Sequence, residues 1–185
     1  STSGADSSRV RAEAPPPNAP EWAVAENVRA LFAAIQHWVL MYPLQRGERQ
    51  LCVLPMFHIA GLLNVFHAAA CGAAVYLMRD YDAAELVRAL AEERVVRAPI
   101  VPTMLSDALA LPGSEARSYE ALRWITYGGA PIDSELLRRG LERFDCGFQQ
   151  AYGMTELSCI TYLSPDDHRR GLDAEPELLR SVGQA

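Results

Sequence analysis

The chain has 185 residues, with 23 acidic side chains against 17 basic ones for a net charge of −6, and every basic residue is an arginine. The absence of lysine excludes Schiff-base chemistry, a lysine general base and a Walker-type phosphate lysine, because arginine stays protonated and presents a fork rather than a point charge. An acidic balance with no arginine block longer than Arg138–Arg139 or Arg169–Arg170 gives no electrostatic footprint for nucleic acid, while 50% hydrophobic content is enough for the core of about one domain.

In chain order, residues 5–21 are rich in Ser, Ala and Pro and have no hydrophobic period, so residues 1–26 read as an irregular segment. Val28, Leu31, Phe32, Ile35 and Val39 recur at helical spacing and predict an amphipathic helix from about Asn27, ended by Pro43 and Gly47. Short apolar runs at Leu51–Leu54, Ala74–Met78, Val95–Val101, Leu122–Tyr127, Gly147–Ala151 and Cys159–Leu163 predict strands. Between them, Asp82 and Asp133 stand where helix N-caps belong. Strand and helix in alternation over residues 27–185 predict an α/β fold, a mainly parallel sheet with helices on both faces. The charged tail from Pro165 onward reads as loop.

Ile59–Met78 carries no formal charge over the length of a membrane span. Asn64, His67 and two glycines interrupt it, and a buried helix ending near Gly72, followed by a buried strand, fits better than a transmembrane segment. Cys52, Cys71, Cys146 and Cys159 are too scattered for a zinc site or a disulfide framework and predict buried thiols in a reducing compartment. With no apolar secretory segment near the start, the expected location is cytoplasmic.

Ligands of open parallel sheets bind beyond the carboxyl ends of the strands, which directs attention to three loops. Gly128 and Gly129 between a strand and a helix allow close backbone approach near a positive helix end, or form no more than a tight turn. In Gln150–Glu156, Tyr152 offers a flat face, Gly153 close approach, Thr155 a hydroxyl and Glu156 a hard oxygen suited to magnesium, where the plainer reading is an ordinary loop with an exposed glutamate. His58 follows the first apolar run and is either a rim group or a catalytic one, whereas His37, His67 and His168 have only a structural reading.

The segments LPMFH (54–58), VPTML (101–105), YGGAPI (127–132) and QAYGMTE (150–156) occur in an order and spacing that resembles the adenylate-forming AMP-binding enzymes, in their acyl-CoA synthetase branch. The resemblance covers about residues 27–185. It implies activation of a small carboxylic acid with ATP and magnesium, release of pyrophosphate, and transfer of the acyl group to coenzyme A. Gly128, Gly129, Ala130 and Pro131 then match the segment beside the adenine and the acyl pocket. Gln150, Ala151, Tyr152, Gly153 and Met154 match nucleotide-binding residues, Tyr152 among them being the aromatic at the adenine. Thr155 matches the hydroxyl at the phosphate, Glu156 the magnesium ligand, and His58 the histidine near the substrate carboxylate. Val101, Pro102, Thr103 and Met104 match the acyl-pocket wall.

Thr2-Ser3-Gly4 fits the opening of the family's phosphate loop, but its Pro-Lys-Gly continuation does not follow, and the family's downstream aspartate motif and adenylation lysine have no counterpart. The chain is therefore expected to be a central piece, truncated at its C-terminus and inactive in adenylation by itself, with a non-catalytic acyl- or nucleotide-binding module as the alternative. The pocket wall shows no ion-pair partner for a charged substrate, so the expected acid is fatty-acid-like. Composition sets no oligomeric state.

Overall fold

A computed structural model describes residues 21–184, with side chains from Val28 onward. The chain divides after Ala33 into two compact units, the first contributing the leading turns of helix α1 and the second everything from Ala34 on. The elements are α1 (Glu21–Met41), β1 (Arg49–Cys52), α2 (Ile59–Cys71), β2 (Ala74–Leu77), α3 (Ala83–Glu92), β3 (Val95–Ile100), α4 (Pro102–Ala110), β4 (Trp124–Gly128), α5 (Ser134–Phe144), β5 (Gly147–Met154), β6 (Ser158–Leu163) and α6 (Pro165–Asp173), with short 3-10 turns at Ser114–Ala116 and Pro176–Arg180.

One six-stranded sheet runs in the order β2-β1-β3-β4-β5-β6. All neighbouring pairs are parallel except β5 and β6. Alternation along the strands separates two faces. Leu51, Ala98, Ile125 and Phe148 point to a face covered by α3, α4 and α5, where Leu86, Leu90, Leu105, Leu137 and Phe144 complete the core. Each of the buried Leu, Ile and Phe side chains contributes about 1.5–3 kcal/mol of transfer free energy. The opposite face carries Gln50, Arg97, Thr126 and Gln149, all buried, and is roofed by α2 through Asn64.

Local sequence explains where the helices start. Asp82 caps α3 by accepting from the Glu85 backbone N–H, and Asp133 caps α5 by accepting from those of Glu135 and Leu136, each holding orphan donors of a first turn. The apolar run 59–78 resolves into α2, a left-handed residue at Gly72 and β2, and among the described residues no helix is long and apolar enough to cross a membrane.

Several expectations change. Helix α1 begins at Glu21, so residues 21–26 are helical rather than irregular. Its predicted apolar stripe is half wrong: Val28 and Phe32 are exposed, and Trp38 is the residue that is buried. Strand β2 is not a buried strand but the sheet edge, with Leu77 exposed. The tail is not loop. Ser164 and Asp167 form a reciprocal capping box and Pro165 occupies the first turn of α6, whose His168 and Gly171 are buried. Thr2, Ser3 and Gly4 lie outside the described residues.

Candidate functional site

The carboxyl ends of β3, β4 and β5 and the start of α2 surround a cavity of about 630 Å³. Its wall brings together His58, Val101, Gly128, Gly129, Ala151, Tyr152, Gly153, Met154, Thr155 and Glu156, taken from four segments separated by up to about a hundred residues of sequence. Ile59, Leu63 and Pro99 add apolar surface.

His58 is the N-cap of α2, and its Nδ1 accepts the Ala60 backbone N–H at 3.1 Å. In the neutral ring the proton is therefore on Nε2, so the exposed imidazole presents a donor. At the β4 end, Gly129 has φ +78, a left-handed conformation that opens the turn into α5 at little steric cost. Gly128 lies so close to β5 that a Cβ there would stand 2.5 Å from the Ala151 carbonyl oxygen.

The QAYGMTE segment is not a loop for most of its length. Strand β5 continues to Met154, and Thr155–Leu157 form the tight turn into antiparallel β6. The turn is held by backbone approach at Gly153, where a Cβ would meet the Ser158 carbonyl oxygen at 1.7 Å, and by a left-handed Ser158 at φ 58. Tyr152, Thr155 and Glu156 are all exposed along this hairpin. Among the described residues no three His, Cys, Asp or Glu side chains converge on one point. A magnesium ion here would have Glu156 as its protein ligand and take the rest of its shell from phosphate oxygens and water, a mode magnesium favours.

Other expected residues are placed elsewhere. Pro102, Thr103 and Met104 are not in the cavity wall but begin α4, with Pro102 buried, Thr103 exposed and Met104 packed against the core. Ala130 is exposed in the turn. Pro131 and Gln150 line a second cavity of about 340 Å³ with Ile132, Leu179 and Val182. The two linings share no residue, yet Gly129 and Pro131 belong to one turn and Gln150 and Ala151 are successive in β5.

Two residues matter to the site without having been expected there: Arg97, which the sequence left unremarked, and His168, which had only a structural reading. Arg97 on β3 is fully buried and lines the larger cavity. Its Nη1 donates to Gln50 Oε1 at 2.6 Å and Asn64 Oδ1 at 2.8 Å, and its Nε to Thr126 Oγ1 at 3.0 Å. Burial pulls the guanidinium down to about 10, which leaves it charged at neutral pH. His168 on α6 is fully buried too, and its Nε2 meets the hydroxyl of Tyr127, the residue before the glycine turn. A single charge in an apolar run such as VVRAPI was the available signal for Arg97.

A profile of the AMP-binding enzyme family matches residues 23–185. The chain is 37% identical over 126 residues to the fatty acid–[acyl-carrier-protein] ligase ScoC of Streptomyces coeruleorubidus, an alignment covering 68% of this chain and 24% of that protein. It thus spans about a quarter of the length of that curated relative. Among solved structures, the N-terminal domain of FACL13 from Mycobacterium tuberculosis superposes with a TM-score of 0.72 at 27% identity, covering 76% of this chain and 36% of that one. The O-succinylbenzoate coenzyme A synthetase of Bacillus subtilis, in complex with ATP and magnesium ion, gives a TM-score of 0.68 at 29% identity, covering 76% of this chain and 29% of that one.

Proposed function

The chain belongs to the AMP-binding enzyme family, as a stretch of the N-terminal domain of its acyl-CoA synthetase branch, and from that premise we propose that it supplies the acid- and nucleotide-binding core of an enzyme that adenylates a carboxylic acid and passes the acyl group to coenzyme A. The observation that carries the reading is the convergence of His58, Gly128, Tyr152, Thr155 and Glu156 on one cavity at the carboxyl ends of the strands.

A carboxylate is a poor electrophile, and joining it to AMP gives it a good leaving group. Within that chemistry the side chains divide as follows. Tyr152 offers its exposed ring to the adenine, and the glycine turn at Gly128–Gly129 lets backbone approach the bound acid and nucleotide. The Thr155 hydroxyl would donate to the phosphate and Glu156 would hold magnesium, which supplies positive charge against the phosphates. His58, with its Nε2–H, orients the acid carboxylate at the cavity mouth. Pro131 and Gln150 line the smaller cavity beside the same turn, where they would face the nucleotide.

The relatives name different acids, a fatty acid for ScoC and O-succinylbenzoate for the Bacillus subtilis enzyme. What they share is a carboxylate on an apolar body, and we assign that class to this pocket, with a fatty acid as one member of it. Calorimetric titration of the chain with AMP tests the nucleotide half. One site is expected, weakened by Tyr152→Ala, and saturable binding that Tyr152→Ala leaves unchanged, or none at all, overturns the assignment.

A further inference from the structure

We propose that Arg97 anchors a second carboxylate, at the far end of the acid, so that this pocket selects compact dicarboxylic acids over monocarboxylic acids of equal length. The proposal rests on the assignment of the larger cavity as the acid pocket.

Arg97 differs from the arginines of the surface. Arg49, Arg88 and Arg123 each meet a glutamate carboxylate at 2.9 Å or less. Arg97 has no surface open to solvent, and among the described residues its hydrogen-bond partners, Gln50, Asn64 and Thr126, are all neutral. The rings of Tyr42 and Trp38 lie 4.4 and 5.5 Å from its guanidinium carbon, and they soften the charge without neutralising it. Among the described residues its second terminal nitrogen, Nη2, has no partner. A buried guanidinium with an unused donor and no counter-ion is costly unless an anion completes it. Arg97 borders the cavity but is closed to solvent in this arrangement, so an anion entering from the cavity reaches it by displacing part of the wall over its guanidinium.

The placement also sets the size of the ligand. Arg97 bonds to Thr126, two residues before Gly128 on β4, and lies four residues before Val101, the residue that follows its own strand. By strand rise these are separations of about 7 and 13 Å. A short diacid fits the near end of that range, with its methylenes against Ile59, Leu63 and Pro99 and its far carboxylate toward Arg97. Both partners of the inner pair are then shielded from water, where a charge-assisted contact is strongest.

The test compares hexanoate with adipate, which differ only at the far end. Calorimetry on the wild-type chain is expected to give adipate a dissociation constant about tenfold or more below that of hexanoate, the size of one charge-assisted hydrogen bond, and Arg97→Met is expected to abolish the preference. Adipate, and not hexanoate, is also expected to shift the Arg97 Nε–H resonance in a guanidinium-labelled wild-type chain, a readout that needs no variant to fold. If hexanoate binds as tightly as adipate, or the preference persists in Arg97→Met, the anchoring role fails while the acid-pocket assignment stands. If neither acid binds the folded wild-type chain, the acid-pocket assignment fails and takes this proposal with it.

Discussion

The hydroxyl of Tyr127 donates to Nε2 of His168 across 2.8 Å, while the other ring nitrogen of His168 donates to the Ser164 carbonyl at 2.7 Å. The pair ties α6 to the last residue before the glycine turn, so a helix with little apolar surface bears on the geometry of the site. Tyr127→Phe leaves a buried ring nitrogen unpaired and is expected to destabilise the chain by about 1–3 kcal/mol. A urea midpoint equal to that of the wild type would show that the contact contributes nothing.

Stability should fall in mild acid. Burial holds His67 down to about 4 and lowers His168 as well, so both are neutral in the folded chain at neutral pH. The unfolded chain takes up protons first as pH drops through the ordinary histidine value of 6.5. The contribution is therefore fully present above about pH 6.5 and is lost progressively toward pH 4, on the order of 3 kcal/mol for His67. Denaturation midpoints at pH 7.5 and pH 5 check it, and a flat profile across that window would contradict it.

Gly153→Ala should damage both stability and nucleotide binding. The added carbon would overlap the Ser158 carbonyl, which is backbone and can yield only by opening the β5–β6 turn. Overpacking of this kind costs about 1–3 kcal/mol, and the displaced hairpin carries Tyr152, Thr155 and Glu156. Thermal melting and AMP titration should both respond, and a variant with normal melting and normal binding would show that the turn has slack.

Asp133→Ala removes the cap of α5 and is expected to cost about 1 kcal/mol. The loss should appear in thermal melting and be recovered largely by Asp133→Ser, which restores an acceptor at the same position; recovery by an apolar residue instead would mean the cap is not the cause.

Glu156→Gln separates function from folding. Glu156 is exposed and joined to no cation among the described residues, so melting should change by no more than about 0.5 kcal/mol, while magnesium-dependent ATP binding weakens about tenfold. Equal ATP affinity in the two proteins, with magnesium present, would remove Glu156 from the metal role.

The fold was largely readable because the strands are continuous apolar runs and the caps of α3 and α5 are local signals. Helix α6 was hidden because Pro165–Asp173 has no apolar period, its start being set by Ser164 and Asp167 and its packing by His168 and Gly171. The antiparallel turn of β5 into β6 was hidden for a related reason. Thr155-Glu156-Leu157 contains no Gly or Asn, and the left-handed residue is Ser158. For the site, the residues that bracket Gly128 and Tyr152 were legible as short motifs, but the direction of Pro102–Met104 depended on where α4 begins. For Arg97 the sequence offered only a lone charge in an apolar run, and nothing of its surroundings. Its partners lie 29 to 47 positions away in sequence, and only strand order brings them together.

That last feature bears on any attempt to redirect the pocket. Through Arg97 the hydrogen bonds run to Gln50 on β1, Asn64 on α2 and Thr126 on β4, then from Thr126 to Gln149 on β5 and from Gln149 to Tyr162 on β6. An engineer who exchanges Arg97 alone inherits three amides and two hydroxyls arranged around a missing cation. Retargeting this chain is thus a rewrite of a row of residues across five strands, because a change at one position leaves the polar groups of the others to find new partners.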